Sequence, residues 1–315
     1  MEGYGAVTGT TPNPEPSEGA SVPLGTQEWP ARRVSVAGVE LLVRDTPGAA
    51  KDLPPALYVH GLGGSSLNWT ALGLLLNDTV RGLAPDLPGF GQTPRLQGIG
   101  GIRQQAALLA QLMDQEFDQP AHVFGNSMGG AAAVALAALR PDRVASLTLV
   151  SPALPHPRPS AIAVWFTALA TPRLGRAVLD RTKRIPFDRR LEAGLSMVFG
   201  DPRALPPEIR TIYENELHRR DEQPWGAQAT LDGARSILLS YLAPPRRSLW
   251  ADAAKIQVPV QLIYGGKDRL VDARIRTKAQ RAFPNARLLY LPQSGHVAQM
   301  EHPELVEKAF RQLVA

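Results

Sequence analysis

Residues 123–130 read VFGNSMGG, and the run AAAVALAAL follows at 131–139. Aromatic and β-branched residues suit a strand, whereas alanine is the strongest helix former. The junction therefore reads as a strand turning directly into a helix, with Ser127 between two glycines at the corner. Glycine reaches backbone conformations closed to other residues, so such a corner can be sharp enough to lift a serine hydroxyl clear of the sheet. A serine in that place is either a helix cap or a nucleophile beside the free N–H groups and positive dipole end of a helix. The five-residue G-x-S-x-G pattern does not decide between these alone, so the surrounding sequence has to.

Outward from the corner, short apolar runs alternate with amphipathic ones. RRVSVAGVELLVRD (32–45) predicts two strands joined by a tight turn at Ala37-Gly38. PPALYVHG (54–61) and VRGLAPDL (80–87) predict buried strands, with a helix in LNWTALGLLL (67–76) between them. PGFGQTP (88–94) reads as a loop. A helix follows over IRQQAALLAQLMDQEF (102–117), where Ile102, Ala106, Leu109 and Met113 share one face. After the 123–139 unit comes a strand in VASLTLVSP (144–152). The alternation then stops at Pro152. It resumes with a strand in VPVQLIYGG (258–266), a helix over 272–283, a strand in ARLLYLP (286–292) and a helix over 302–314. Strand–helix alternation of this kind implies a mainly parallel sheet covered on both faces. The proline-rich helical stretch in the gap implies an insertion, giving a core of 31–151 and 251–315 and an inserted helical lid of 152–250. Residues 1–30, rich in Gly, Pro, Thr and Glu, read as a disordered tail.

Composition narrows the function. The 315 residues contain no cysteine, which excludes disulfides, iron–sulfur clusters and a cysteine nucleophile. No apolar run reaches the length of a membrane span, and the N-terminus lacks the basic start and apolar core of a signal peptide. A cytoplasmic protein is the expectation. The net charge of +5 is unevenly spread, with the insertion the most basic stretch: 15 basic and 10 acidic residues are interspersed over 152–250. Mixed charges of this kind describe a solvated face, not a nucleic-acid stripe, so a small-molecule substrate is expected.

A nucleophilic serine needs a base, and the base needs a group to orient it. Of the six histidines, His60 and His122 fall in or beside strands, His156 and His218 in the insertion, and His302 beside Pro303 at a helix start. His296 stands in the glycine-containing loop LPQSGHVAQ directly after a strand. That is the strand end where parallel sheets bind ligands, the same edge as Ser127. In LIYGGKDRLVD, Asp268 is nearer the strand end, and Asp272 suits the cap of the next helix. Carbonyl attack also creates an oxyanion that pre-aimed donors must meet. The Met128 N–H supplies one, and HGLGG (60–64) offers Leu62 N–H or Gly63 N–H as a second.

The order Ser127, Asp268, His296, with HGLGG, DLPGFGQT, GNSMGG, GGKD and SGHVAQMEHPE, resembles the α/β-hydrolase superfamily over residues 31–151 and 251–315. The resemblance implies an eight-stranded, mostly parallel sheet, a Ser–His–Asp triad and a helical lid inserted between strands six and seven. It also implies that no metal or organic cofactor is needed. The serine elbow GNSMGG is similar to that of C–C hydrolases of meta-cleavage products, which usually carry Trp where this chain has Val297. Esterases and monoacylglycerol lipases usually show GHSMGG, with His at Asn126. Cleavage of a carboxylic ester of small to medium apolar acyl or aromatic character is favoured. A C–C hydrolase and a non-catalytic binding protein of the same fold remain alternatives. Gly63, Asn126, Trp165, Phe166 and Val297 are expected to touch substrate, and Arg189 and Arg190 to meet any substrate carboxylate.

Overall fold

The computed structural model describes residues 29–96, 100–156 and 168–315. Eight strands form one sheet in the order β1-β2-β4-β3-β5-β6-β7-β8. They are β1 (Ala31–Val36), β2 (Val39–Asp45), β3 (Pro55–Val59), β4 (Arg81–Pro85), β5 (Ala121–Asn126), β6 (Val144–Val150), β7 (Val260–Gly265) and β8 (Ala286–Leu291). The β1–β2 hairpin turns at Ala37 and Gly38, both at positive φ (52° and 77°), as a two-residue turn between twisted strands requires. β2 also runs antiparallel to β4, and every remaining pair is parallel. All five residues of β3 and all six of β7 are buried, which is why both read as mainly apolar runs, broken in β7 only by Gln261.

On the core side, α1 (Thr70–Leu75), α2 (Ile102–Glu116) and α3 (Met128–Leu139) follow their strands. Helix α3 is buried along ten of its twelve residues, and its small side chains let it lie close on the sheet. A Cβ at Gly130 would stand 2.9 Å from Pro152 Cβ, and one at Gly125 would stand 2.7 Å from both Gly129 O and Gly130 Cα. The glycine and alanine richness of 125–139 is thus a packing requirement as well as a helix signal. The last helix, α11 (Pro303–Val314), buries Val306, Ala309, Phe310 and Leu313 at helical spacing.

Between β6 and β7 every regular element among the described residues is a helix or helical turn. The inserted helices are α4 (Pro172–Lys183), α5 (Phe187–Val198), α6 (Pro207–Glu222), α7 (Gly226–Tyr241) and α8 (Leu249–Ala253). A separate apolar cluster of Leu191, Leu195, Phe199, Ile209, Val297 and Met300 joins α5 and α6 to the loop that carries Val297. The expected helix over 272–283 is broken. Asp272 caps a 3-10 turn (Ala273–Ile275), and α9 (Arg276–Ala282) begins only after it. The expected helix at 67–76 likewise opens with a 3-10 turn (Ser66–Trp69) capped by Ser65 before α1. A four-residue α10 (Ala298–Glu301) precedes α11. Among the described residues no helix is long and apolar enough to cross a membrane.

Candidate active site

The chain leaves β3 toward β4 on one side of the sheet and later returns to form β5 on the other. The carboxyl ends of β3 and β5 therefore flank a crevice, the usual ligand position in open parallel sheets. Two glycine-bounded loops meet there, 60–64 after β3 and the 125–130 corner after β5.

Ser127 sits at the corner with φ 53° and ψ −116°, outside the regions that non-glycine residues ordinarily occupy. Its N–H donates to Val150 O (3.1 Å), and its carbonyl accepts from Ala131 N (3.0 Å) and Ala153 N (2.9 Å). The side chain makes no cap hydrogen bond to α3, so the helix-cap reading of this serine fails. Met128 begins α3, where the first N–H groups have no partner within the helix. Gly61 lies against the corner: a Cβ there would stand 3.1 Å from Ser127 Cβ and 3.0 Å from Asn126 Oδ1.

His296 and Asp268 meet at their own strand ends. His296 Nδ1 lies 2.9 Å from Asp268 Oδ2, with both side chains buried. The other carboxylate oxygen, Asp268 Oδ1, accepts from Leu270 N (2.8 Å) and Val271 N (2.9 Å), which fixes the carboxylate plane. Ser127, His296, Leu62, Gly63, Asn126 and Val297 all border one cavity of about 400 Å³, within the ~300–1,000 Å³ range of small-molecule sites. Asp272 also reaches this cavity, but it caps the 273–275 turn and pairs with Arg274.

Of the other histidines, all but His156 lie away from the cavity. His60 is fully buried, with Nδ1 2.8 Å from Gly61 O and Nε2 accepting from Leu87 N (2.9 Å). Those partners put the proton on Nδ1, and burial pushes the imidazole below its ordinary pKa. His122 contacts Ser146 Oγ (2.8 Å) and meets the Phe310 ring edge-on. His218 stacks on Phe187. His302 precedes α11, while His156 lines the cavity.

The residues expected to touch substrate have varied surroundings. Asn126 borders the cavity, yet its amide nitrogen donates to Val150 O (3.1 Å) and to His296 O (3.0 Å). It therefore ties the corner to the histidine loop. Arg190 is committed to Asp221 (2.6 Å) and lies over the Phe187 ring, Arg189 is exposed, and neither borders the cavity. Trp165 and Phe166 lie outside the described residues. Of the aromatic residues in the insertion, Tyr213 and Tyr241 line the cavity, whereas Phe199, Trp225 and Trp250 pack in apolar clusters.

Glu301 carries no signal in the sequence, but the structure makes it a clasp. Its carboxylate accepts from Gly200 N (2.7 Å), Gly295 N (2.8 Å) and Ser294 Oγ (3.3 Å). Burial pushes this carboxyl above its ordinary value, against those hydrogen bonds. His296 N–H in turn donates to Val198 O (2.7 Å). The end of α5 and the residues after it thus hold the histidine loop backbone to backbone. Gly200 and Gly295 lack side chains because each would collide with the other's segment.

Comparison with known proteins agrees with this architecture. The sequence profile of the alpha/beta hydrolase fold family matches residues 54–303. The chain is 28% identical over 258 residues to a dihydrolipoyllysine-residue acetyltransferase component of an acetoin cleaving system from Pseudomonas putida. That match covers 81% of this chain but only 61% of the relative's own length. It is 29% identical over 270 residues to a pimeloyl-[acyl-carrier protein] methyl ester esterase from Neisseria meningitidis, covering 84% of this chain and 96% of the esterase. A 2-hydroxy-6-oxononadienedioate/2-hydroxy-6-oxononatrienedioate hydrolase from Burkholderia vietnamiensis is 28% identical over 256 residues, covering 79% of this chain and 82% of that enzyme. With the profile spanning most of the chain, and an eight-stranded sheet interrupted by helices between β6 and β7, the protein belongs to the alpha/beta hydrolase fold family.

Proposed function

We propose that the protein is a serine hydrolase that cleaves a carboxylic ester of small to medium acyl chain through an acyl-enzyme on Ser127. The observation that carries this reading is the His296 Nδ1–Asp268 Oδ2 contact of 2.9 Å, in a cavity that Ser127 also borders. Because Asp268 takes the Nδ1–H, Nε2 of His296 is left as the basic nitrogen. In the proposed sequence Nε2 removes the Ser127 proton as Oγ attacks the ester carbonyl, then returns it to the leaving alkoxide. Met128 N–H and Leu62 N–H meet the oxyanion as it forms. Water then attacks the acyl-enzyme with His296 again as base, releasing the acid. The helices of 152–250 cap the cavity and exclude water from the acyl chain. The esterase relative supports an ester as substrate.

The C–C hydrolase relative keeps a second reading specific. Under it the same three residues act on a ketonised dienoate. Turnover of p-nitrophenyl butyrate and of a 2-hydroxy-6-oxo-dienoate, measured side by side with the wild type and Ser127→Ala, separates the readings. Ester hydrolysis predicts preference for the butyrate, with fluorophosphonate labelling that disappears in Ser127→Ala. Strong preference for the dienoate would overturn ester hydrolysis. Absence of both turnovers and of labelling would leave a binding protein of this fold.

A further inference from the structure

The cavity beside Ser127 holds a charge that ester cleavage does not use. Besides His296, the charged or titratable side chains lining it include His156, Tyr213, Glu216, Arg220 and Asp272. Asp272 is bonded to Arg274, and Glu216 to Arg219. Arg220, near the end of α6, forms no hydrogen bond or ion pair with any described residue, and its Nε–H is buried without an acceptor. Buried donors are nearly always satisfied, so one left open beside a cavity calls for a partner.

The surroundings of Arg220 define that partner. Its guanidinium lies against Gly63, where a Cβ would stand 2.6 Å from Arg220 Nη1. Gly63 thus lets the side chain reach the loop that carries the second candidate oxyanion donor. Glu216 is the nearby carboxyl, yet it bonds to Arg219. Asp86 also faces this cluster, but its oxygens accept from Ser66 N (2.7 Å) and Gln92 N (2.7 Å). Neither carboxylate is therefore bonded to Arg220. The wall also carries aliphatic side chains, Ala234, Ile237 and Leu238 of α7, Leu242 at its end, and Leu270 and Val271. Aliphatic wall and a planar cation with unpaired donors thus border the same cavity.

We propose that the substrate is a half-ester of a dicarboxylic acid, whose free carboxylate docks on Arg220 while its ester carbonyl faces Ser127. A guanidinium binds a carboxylate through two parallel hydrogen bonds. One such cation matches a carboxylate monoanion better than a phosphate dianion, which would need further donors. The proposal rests on the ester-hydrolase reading, and its test distinguishes failure of one from failure of the other.

The test compares methyl hexanoate with monomethyl adipate, which have the same acyl length without and with a terminal carboxylate. Acid release is followed by pH-stat with the full chain. The wild type is expected to favour the adipate half-ester in kcat/KM. Arg220→Gln should lower the adipate-to-hexanoate ratio by about tenfold or more, chiefly through KM, the scale of losing one charge-assisted contact. Arg220→Lys, which keeps the charge but not the paired geometry, should retain only part of the preference and fall between the wild type and Arg220→Gln. Wild-type turnover of methyl hexanoate with no preference for the half-ester overturns the carboxylate site and leaves ester hydrolysis standing. A ratio that Arg220→Gln leaves unchanged overturns it as well. Turnover of neither ester by the wild type overturns both readings.

Discussion

The backbone of Ser127, at φ 53° and ψ −116°, is of a kind that costs roughly 1–3 kcal/mol and persists only where its surroundings over-determine it. Here those surroundings are hydrogen bonds to Val150, Ala131 and Ala153 and the close approach of Gly61. Strain kept at a cavity wall, beside a histidine–carboxylate pair, is what nucleophile presentation requires. Asp268 is equally constrained, with both oxygens assigned. In Asp268→Asn the amide oxygen can still accept from Leu270 and Val271, but the NH₂ then faces Nδ1 and forces the proton onto Nε2. The proposed mechanism predicts a kcat loss of about 10³–10⁴-fold with little change in melting temperature. Stopped-flow turnover and circular dichroism check this together. That Ser127, Asp268 and His296 follow β5, β7 and β8 was legible in the sequence, because the residue pattern marks those strands. Asn126 was legible as a position but not as a role, since its partners Val150 and His296 lie 24 and 170 residues away.

Between elements, the histidine loop depends on the insertion. Val198 O holds the His296 N–H, and Glu301 gathers Gly200, Gly295 and Ser294. Glu301→Ala would strand two backbone donors, and a buried unpaired group costs about 1–3 kcal/mol. The loop carrying His296 would then lose its fixed position. A displacement near 1 Å is worth up to ~10²-fold in rate. The expected outcome is a lower unfolding midpoint together with a fall in kcat that exceeds any change in KM. A kcat equal to the wild type's would show that Val198 and Asn126 suffice to place the loop. No sequence signal marked this clasp, because it pairs a carboxylate with backbone N–H groups as much as 101 residues distant. The same limit applies to Arg220. Among fifteen basic residues over 152–250, only three-dimensional packing separates Arg190, which pairs with Asp221, from Arg220, which pairs with nothing described. The broken helix at 272–283 was missed for a local reason: Asp272 accepts from Arg274 N and tightens the first turn.

Across the whole molecule, the fold was legible because short apolar runs alternate with amphipathic runs of period near 3.6, and the alternation stops and restarts at the insertion. Stability should carry a mark of the buried core. His60 has no room for a second proton, since Nδ1 faces Gly61 O and Nε2 accepts from Leu87 N. Burial lowers its pKa, with Asp86 opposing, and burial lowers that of His122 too. As pH falls below the ordinary histidine value of 6.5, the unfolded chain takes up a proton that the folded one refuses. Stability is therefore full above that value and declines below it, by about 1.4 kcal/mol over one pH unit for a histidine that stays neutral. Glu216 and Glu301, both raised by burial, act in the opposite sense, because the folded state binds their protons more readily. A comparison isolates His60: between pH 7.5 and 5.5, the urea midpoint should fall further in the wild type than in His60→Gln. Equal pH dependence would show that His60 becomes protonated without unfolding.

Ser127 itself can be interrogated during turnover. Rapid-quench mass spectrometry of the protein mixed with p-nitrophenyl butyrate should find a butyryl group on the peptide containing Ser127, and none in Ser127→Ala. Steady ester turnover with that peptide unmodified, or with Ser127→Ala matching the wild-type rate, would contradict an acyl-enzyme at the corner between β5 and α3.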